Sequence, residues 1–141
     1  MKYKLLIVSI IILAIFMLNS CDKNTQSSTS TFTMITAEEA KEMMDNDDDI
    51  IILDVRTNEE YYAGHIKDAF LLPYDEILEK AEEKLPDKSA TILIYCRSGR
   101  RSKIAAEDLV SLGYTNVYEF GGIIDWPYEI LTLKSLIGSF N

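Results

Sequence analysis

Tyr95-Cys96-Arg97-Ser98-Gly99-Arg100-Arg101-Ser102 is the stretch from which the fold of this chain can be worked out. Residues 91–95 form an apolar run that predicts a buried strand leading into it. Residues 103–112 have the apolar spacing of a helix leading out of it. One cysteine therefore stands at the end of a strand, on a turn that opens a helix.

The residues of this turn predict a nucleophile that meets an anion. Backbone N–H groups at the start of a helix point towards a bound anion, and the guanidinium groups of Arg97, Arg100 and Arg101 add positive charge. Both features favour the thiolate form of Cys96. A lone cysteine at a buried strand end is otherwise a small core residue, and an arginine-rich turn is otherwise solvated surface. Their combination at one junction favours a functional site.

Charge and cysteine content exclude several classes of protein. The chain has 141 residues, enough for one domain of ordinary size, and a formal net charge of −9. So acidic a chain is not expected to bind nucleic acid, whereas its basic loop can select small anions. The single histidine and the two cysteines do not form a metal-binding pattern. We therefore predict no metal, no other cofactor and no disulfide bond.

Residues 1–20 are predicted to be a signal peptide. Two lysines precede a short apolar run, which is shorter than the about 20 apolar residues that a membrane-spanning helix needs. The run ends at Leu18-Asn19-Ser20-Cys21, which resembles a bacterial lipobox. The resemblance implies cleavage before Cys21, lipid on this cysteine, and a protein anchored to the cell membrane outside the cytoplasm. An uncleaved anchor and ordinary secretion are the alternatives.

The rest of the chain is predicted to be a tether, one α/β domain and a tail. Residues 21–31 hold Cys21 and a polar tether, residues 32–131 the domain, and residues 132–141 a C-terminal tail. Short apolar strands that alternate with helices indicate a mainly parallel sheet. The predicted strands are 50–53, 69–72, 91–95 and 117–120. The predicted helices are one capped by Thr36, 58–62, 75–85, 103–112 and a last one over Ile123, Trp126 and Ile130.

Three of the strands end in residues that are unusual for a strand end. Asp54 and Arg56 follow one, Cys96 follows the second, and Gly121-Gly122 follows the third. Parallel sheets bind ligands beyond the carboxyl ends of their strands, so we expect these groups at one edge. Asp54 and Arg56 have a second interpretation, as an ion pair that only stabilises the loops.

The segment from about residue 34 to residue 129 resembles the rhodanese (thiosulfate sulfurtransferase-like) family. The motifs that carry the resemblance are Leu53-Asp54-Val55-Arg56, Glu60-Tyr61, Gly64-His65-Ile66, Ala69, Pro73, the cysteine loop, Gly121-Gly122 and Trp126. The family implies an α/β fold with a central, mainly parallel sheet of about five strands flanked by helices. It also implies that Cys96 carries a persulfide.

By the same resemblance, the loop after the cysteine holds the substrate. The substrate-binding residues would be Arg97, Ser98, Gly99, Arg100 and Arg101. We expect three further residues to support this loop, namely Asp54, Arg56 and Ser102. Gly99 gives the backbone the freedom to curl around the sulfur.

The resemblance implies a sulfurtransferase. The Cys96 thiolate would take a sulfane sulfur from a small anionic donor, thiosulfate or a persulfide, and pass it to cyanide or a thiol. A phosphatase or arsenate reductase on a similar scaffold would have a cysteine loop one residue longer, ending in arginine, where this chain has Ser102. A non-catalytic module that binds sulfur or anions would typically lack the cysteine. Both alternatives stay open at this point.

The lipobox predicts that Cys21 is the site of lipid attachment. Metabolic labelling of the expressing bacterium with a fatty acid should mark the wild-type chain, and Cys21→Ala should abolish the label because the thiol that accepts the lipid is gone. Cys96→Ala is the matched control and should keep the label. A wild-type chain that takes up no fatty acid would contradict the prediction.

Overall fold

A computed structural model describes residues 31–132 of the chain. The predicted signal peptide, Cys21, the tether up to residue 30 and the tail from residue 133 onwards lie outside the described residues. Within residues 31–132, no helix has the length and apolar character needed to cross a membrane.

A five-stranded sheet forms the centre of the domain, and all of its neighbouring strands pair in parallel. In chain order the strands are β1 (Thr33–Met34), β2 (Ile51–Asp54), β3 (Phe70–Leu71), β4 (Thr91–Cys96) and β5 (Asn116–Gly122). Their order across the sheet is β1-β5-β4-β2-β3, which puts β4 in the middle. The predicted α/β fold with a mainly parallel sheet of five strands is thus confirmed.

Four α-helices connect or flank these strands. They are α1 (Ala37–Asn46), α2 (Asn58–Ala63), α3 (Ile77–Lys84) and α4 (Arg100–Ser111), with 3-10 turns at Tyr74–Glu76 and Ile123–Asp125. The predicted capping box at Thr36 is present, and a second one joins Thr57 and Glu60 at the start of α2. Helix α4 begins at Arg100, earlier than the apolar spacing indicated, because the loop itself supplies its first turn.

The predicted last helix, over Ile123, Trp126 and Ile130, is wrong. Only the turn Ile123–Asp125 is helical, and Trp126 has φ −75° and ψ 113°, which is extended backbone. Pro127 follows directly, and a proline disfavours the helical conformation of the residue before it. The chain then runs back to pair Leu131 with His65 in an isolated antiparallel bridge.

Both faces of the sheet are covered, so its central strand is apolar throughout. Side chains alternate along β4. Ile92, Ile94 and Cys96 pack in one core cluster with residues of α3 and α4. Leu93 and Tyr95 pack on the opposite face, in a cluster that includes residues of α1 and the loops. The nucleophile predicted from the sequence therefore belongs to the α3–α4 side of the core.

A buried polar network ties β4 to β2 near the carboxyl ends of both strands. The Tyr95 hydroxyl donates to Asp54 Oδ2 over 2.6 Å and accepts from the Ile66 N–H over 3.1 Å. Burial, followed by the charge of Asp54, raises the pKa of Tyr95 far above its ordinary value, so the phenol stays protonated and donates. Arg56 binds the same carboxylate through Nε and Nη2 and donates to the Gly64 carbonyl. The Asp54–Arg56 ion pair considered at first is therefore present.

Tyr95→Phe should lower the free energy of unfolding by about 1–3 kcal/mol, because it removes one donor from the buried Asp54 carboxylate, which keeps Arg56, and leaves the buried Ile66 N–H without its partner. Tyr118→Phe is the matched control, since the Tyr118 hydroxyl makes no hydrogen bond to the described residues. This control should stay within about 0.5 kcal/mol of wild type. Urea denaturation measures the free energy of unfolding of both variants. Equal decreases in the two would contradict a structural role for the network.

Candidate active site

Three strand ends form the candidate site. Cys96 ends β4 and pairs with Gly122 at the end of β5, while Asp54 ends β2. Gly122 is held in close contact with the cysteine loop, because a Cβ there would lie 2.2 Å from the Arg97 carbonyl oxygen and 2.5 Å from the Ser98 Cα. No larger residue fits this position without moving the loop. The second glycine of the pair noted in the sequence thus allows the loop to pack directly on β5.

The sulfur of Cys96 lies under the loop and is almost fully buried. The residue is 1% exposed, and its Sγ accepts a hydrogen bond from the Gly99 N–H over 3.1 Å. Gly99 has φ 93°, in the left-handed region, and this turns the chain into α4 with its N–H directed at the sulfur. The loop therefore forms a nest of backbone donors around a single sulfur atom, as the sequence predicted for an anion.

These contacts determine the acidity of the thiol. Burial raises the pKa of Cys96, but hydrogen bonds to the sulfur outweigh it and bring the pKa below its ordinary value. The donors are the Ser102 hydroxyl, which has the largest effect when its proton points at the sulfur, and then the backbone N–H groups of Ser102, Ser98 and Gly99. The thiolate form of Cys96 is thus favoured relative to an ordinary cysteine.

A cavity of about 530 Å³ lies above the loop. Its lining consists of Arg56, Thr57, Pro73, Tyr74, Asp75, Arg97, Ser98, Arg100 and Arg101. The side chains of Arg97 and Arg100 are exposed and have no ion-pair partner among residues 31–132. These two guanidinium groups are therefore available to a bound anion, and the substrate-binding role of the loop stays a prediction.

Arg101 is in a different situation from the other two loop arginines. It forms a two-fold ion pair with Glu60, with Nη1–Oε2 at 2.7 Å and Nη2–Oε1 at 2.8 Å, and its side chain is only 17% exposed. The hydrogen bonds from Arg101 lower the pKa of Glu60 to about 2. The sequence analysis placed Glu60 in a family motif but gave it no partner. The available signal in the sequence was the capping-box spacing of Thr57 and Glu60, which places Glu60 in the first turn of α2.

Ser102 and Glu119 form the floor of the site. Both are buried, and the Ser102 hydroxyl lies 2.6 Å from Glu119 Oε1 and 3.5 Å from the Cys96 sulfur. The sequence analysis predicted a supporting role for Ser102 and missed Glu119. The available clue was the period of two in β5, which puts Glu119 on the same buried face as Val117.

The structure brings together all the residues that the sequence assigned to this site. Cys96 and its loop form the centre, Ser102 lies below the sulfur, and Asp54 and Arg56 lie at the neighbouring strand end. No group of three or more metal-ligating side chains occurs within residues 31–132. The catalytic role of Cys96 and the substrate-binding role of the loop stay predictions. The geometry names the groups that would act in each role.

The Glu60–Arg101 pair predicts a pH-dependent contribution to stability. Glu60→Gln keeps the shape but removes the charge, and should lower the free energy of unfolding at pH 7 by about 1 kcal/mol. Because the pKa of Glu60 falls from 4.5 when unpaired to about 2 in the fold, this contribution is complete above pH 4.5 and is lost as the pH falls through about 2.

The control for this prediction is Glu59→Gln, which removes a carboxylate from the same helix turn without touching Arg101. It should leave stability closer to wild type than Glu60→Gln does. Urea denaturation from pH 3 to pH 7 follows both variants. A Glu60→Gln deficit that does not shrink on acidification would contradict the ion pair as its cause.

Comparisons with known proteins agree with this geometry. A family model described as Rhodanese-like domain matches residues 36–127. Thiosulfate sulfurtransferase PspE of Escherichia coli is 40% identical over 73 residues, which are 52% of this chain and 70% of PspE. A sulfurtransferase of Allochromatium vinosum is 37% identical over 93 residues, which are 65% of this chain and 85% of that protein. A tRNA uridine(34) hydroxylase of Photorhabdus laumondii is 33% identical over 110 residues, but the match covers only 31% of its length.

Solved structures give the same result. A structure described as rhodanese with anions from E. coli has a TM-score of 0.55 and 35% identity, and the match covers 59% of this chain and 98% of that one. A rhodanese-like domain protein from Staphylococcus aureus has a TM-score of 0.61 and 32% identity, covering 72% of this chain and 98% of that one. With its family match over residues 36–127 and a cysteine loop at the end of the central parallel strand, this chain belongs to the rhodanese-like domain family.

Proposed function

We propose that this chain is a sulfurtransferase that moves a sulfane sulfur from thiosulfate or a persulfide donor, through a persulfide on Cys96, to cyanide or a thiol. The observation that carries the proposal is the setting of the Cys96 sulfur. Its pKa is lowered, it accepts a hydrogen bond from the Gly99 N–H, and the loop that covers it lines a cavity with two guanidinium groups that have no ion-pair partner among residues 31–132. Relatives described as sulfurtransferases support the same reaction class.

In the first half-reaction, the Cys96 thiolate attacks the outer sulfur of thiosulfate. The S–S bond of thiosulfate breaks, and sulfite leaves with the bonding electron pair. Arg97 and Arg100, exposed at the cavity, are suited to hold the dianion and the departing sulfite. The outer sulfur stays on Cys96 as a persulfide, and the loop N–H groups are placed to stabilise its negative charge.

In the second half-reaction, an acceptor removes that sulfur. A thiolate or the carbon of cyanide attacks the outer sulfur of the persulfide, and Cys96 leaves as a thiolate. The lowered pKa of Cys96 makes it a better leaving group in this step than an ordinary cysteine. The cycle needs neither a redox cofactor nor a general base, because the cysteine enters and leaves each turnover as the same anion.

We also propose that the protein acts at the cell membrane, outside the cytoplasm, through lipid on Cys21. The support is the sequence Leu18-Asn19-Ser20-Cys21 after a short apolar run. The polar residues that follow would tether the domain to the membrane surface. The donor and acceptor would then be small molecules or proteins of that compartment.

The decisive assay gives the full-length protein thiosulfate with cyanide and, separately, an aryl phosphate. Wild type should release thiocyanate, and incubation with thiosulfate alone should raise the mass of the Cys96 peptide by one sulfur atom. Cys96→Ser should abolish both results, because a serine hydroxyl is not ionised and cannot hold a labile sulfur. Cys21→Ala, which removes the other cysteine, should keep them.

Two outcomes would overturn this proposal in favour of the alternatives. Phosphate release that depends on Cys96, without thiocyanate, would assign the loop to a phosphatase. A folded wild-type protein that forms neither product, and whose Cys96 alkylates no faster than free cysteine, would be a non-catalytic binding module.

A further inference from the structure

Glu119 is a buried carboxylate directly behind the proposed nucleophile. It is 3% exposed and lies on β5, facing the first turns of α4. Its Oε1 accepts hydrogen bonds from the Ser102 hydroxyl over 2.6 Å and from the Gly121 N–H over 2.9 Å. Among residues 31–132 it has no cationic partner. A buried, unpaired carboxylate is costly, so its presence next to the reactive sulfur calls for a function.

The Ser102 hydroxyl has one proton and four acceptors within reach. Its oxygen lies 2.6 Å from Glu119 Oε1, 3.0 Å from the Gly99 carbonyl, 3.4 Å from the Gly121 carbonyl and 3.5 Å from the Cys96 sulfur. Hydrogen bonds to charged oxygens are the shortest and strongest of these. The geometry therefore directs the proton to Glu119, away from the sulfur.

We propose that Glu119 is a positioning residue for sulfur transfer, which binds the Ser102 hydroxyl proton and so withholds that hydrogen bond from the Cys96 sulfur. The benefit of this arrangement to sulfur transfer rests on the proposed function. The hydrogen bond itself, and its effect on the pKa of Cys96, can be measured without any turnover. Glu119 acts through Ser102 and does not touch the substrate. It was not among the site residues that the sequence suggested.

The effect of Glu119 on the reactivity of Cys96 follows from the other charged groups around the sulfur. The charged side chains at this edge are Arg97 and Arg100 in the loop, Arg101 of α4 bound to Glu60 of α2, Arg56 bound to Asp54 at the end of β2, Asp75 of the turn Tyr74–Glu76 in the cavity lining, and Glu119 on β5. The arginines and the loop N–H groups favour the thiolate. A thiolate loses nucleophilicity as its pKa falls, and the best attacking thiol has a pKa near the ambient pH. By withholding one donor, Glu119 keeps the sulfur reactive towards thiosulfate.

The test is Glu119→Gln in the full-length protein. Glutamine has the same shape and keeps an oxygen for the Gly121 N–H, but without charge it binds the Ser102 proton less strongly. Ser102 is then free to donate to the sulfur. The pH at which half of Cys96 is reactive should fall by about 1 unit. Alkylation by iodoacetamide at a series of pH values, followed by mass spectrometry of the Cys96 peptide, measures this midpoint.

Two controls separate the role of Ser102 from a simple effect of charge. Glu107→Gln removes an exposed carboxylate from α4 and should leave the midpoint unchanged. Ser102→Ala should also change the midpoint little, because its proton was not given to the sulfur. In the Ser102→Ala background, Glu119→Gln should shift the midpoint by less than half as much as it does alone.

Several results would overturn the inference. One is an unchanged or raised midpoint in folded Glu119→Gln, and another is an equal shift with and without Ser102. If Glu119→Gln does not fold, Ser102→Ala decides alone, since a midpoint raised by about 1 unit would show that Ser102 already donates to the sulfur. Alkylation requires no sulfur transfer, so absence of thiocyanate would refute only the proposed function.

Discussion

The parallel pairing of β2, β4 and β5 is the constraint on which the rest of this structure depends, because it brings three strand ends to one edge of the sheet. Backbone hydrogen bonds are not the only link at this edge. Tyr95 and Asp54 stand opposite each other in the ladder and also join through a buried hydrogen bond of 2.6 Å. The carboxylate would be costly to leave without this donor. The link therefore fixes β2 relative to the strand that carries Cys96.

The arginines at this edge form two groups, those paired with a carboxylate of the fold and those without an ion-pair partner among residues 31–132. Arg56 is paired with Asp54, and Arg101 is paired with Glu60, so their charges are largely compensated within the fold. Arg97 and Arg100 keep their charge for the cavity. This division limits the repulsion among four guanidinium groups in a small volume and still leaves positive potential for an anion. It also explains how an acidic chain can present a cationic site.

The reactivity of the cysteine is a balance of opposing effects. Burial opposes ionisation of Cys96, while the N–H groups of the loop favour it, and the second effect prevails. The loop can approach so closely because Gly122 has no side chain and Gly99 adopts a left-handed conformation. On the other side of the sulfur, the carboxylate of Glu119 competes for the one hydroxyl that could stabilise the thiolate further. The acidity of Cys96 thus depends on the packing of the loop against β5 as well as on the residues of the loop itself.

Local patterns in the sequence were enough to predict four of the five strands, the capping box at Thr36 and the cysteine at a strand end, because these features depend on residues a few positions apart. The two-residue strand β1 was not predicted. The local patterns also failed after Ile123, where apolar spacing indicated a helix that Pro127 prevents. The bond from Arg101 to Glu60 joins residues 41 positions apart, and that from Ser102 to Glu119 joins residues 17 positions apart. No local period encodes such partners. The sequence by itself determined the parallel sheet and the loop that carries Cys96, whereas only the packing of α2, α4 and β5 at one edge decided which charges meet there.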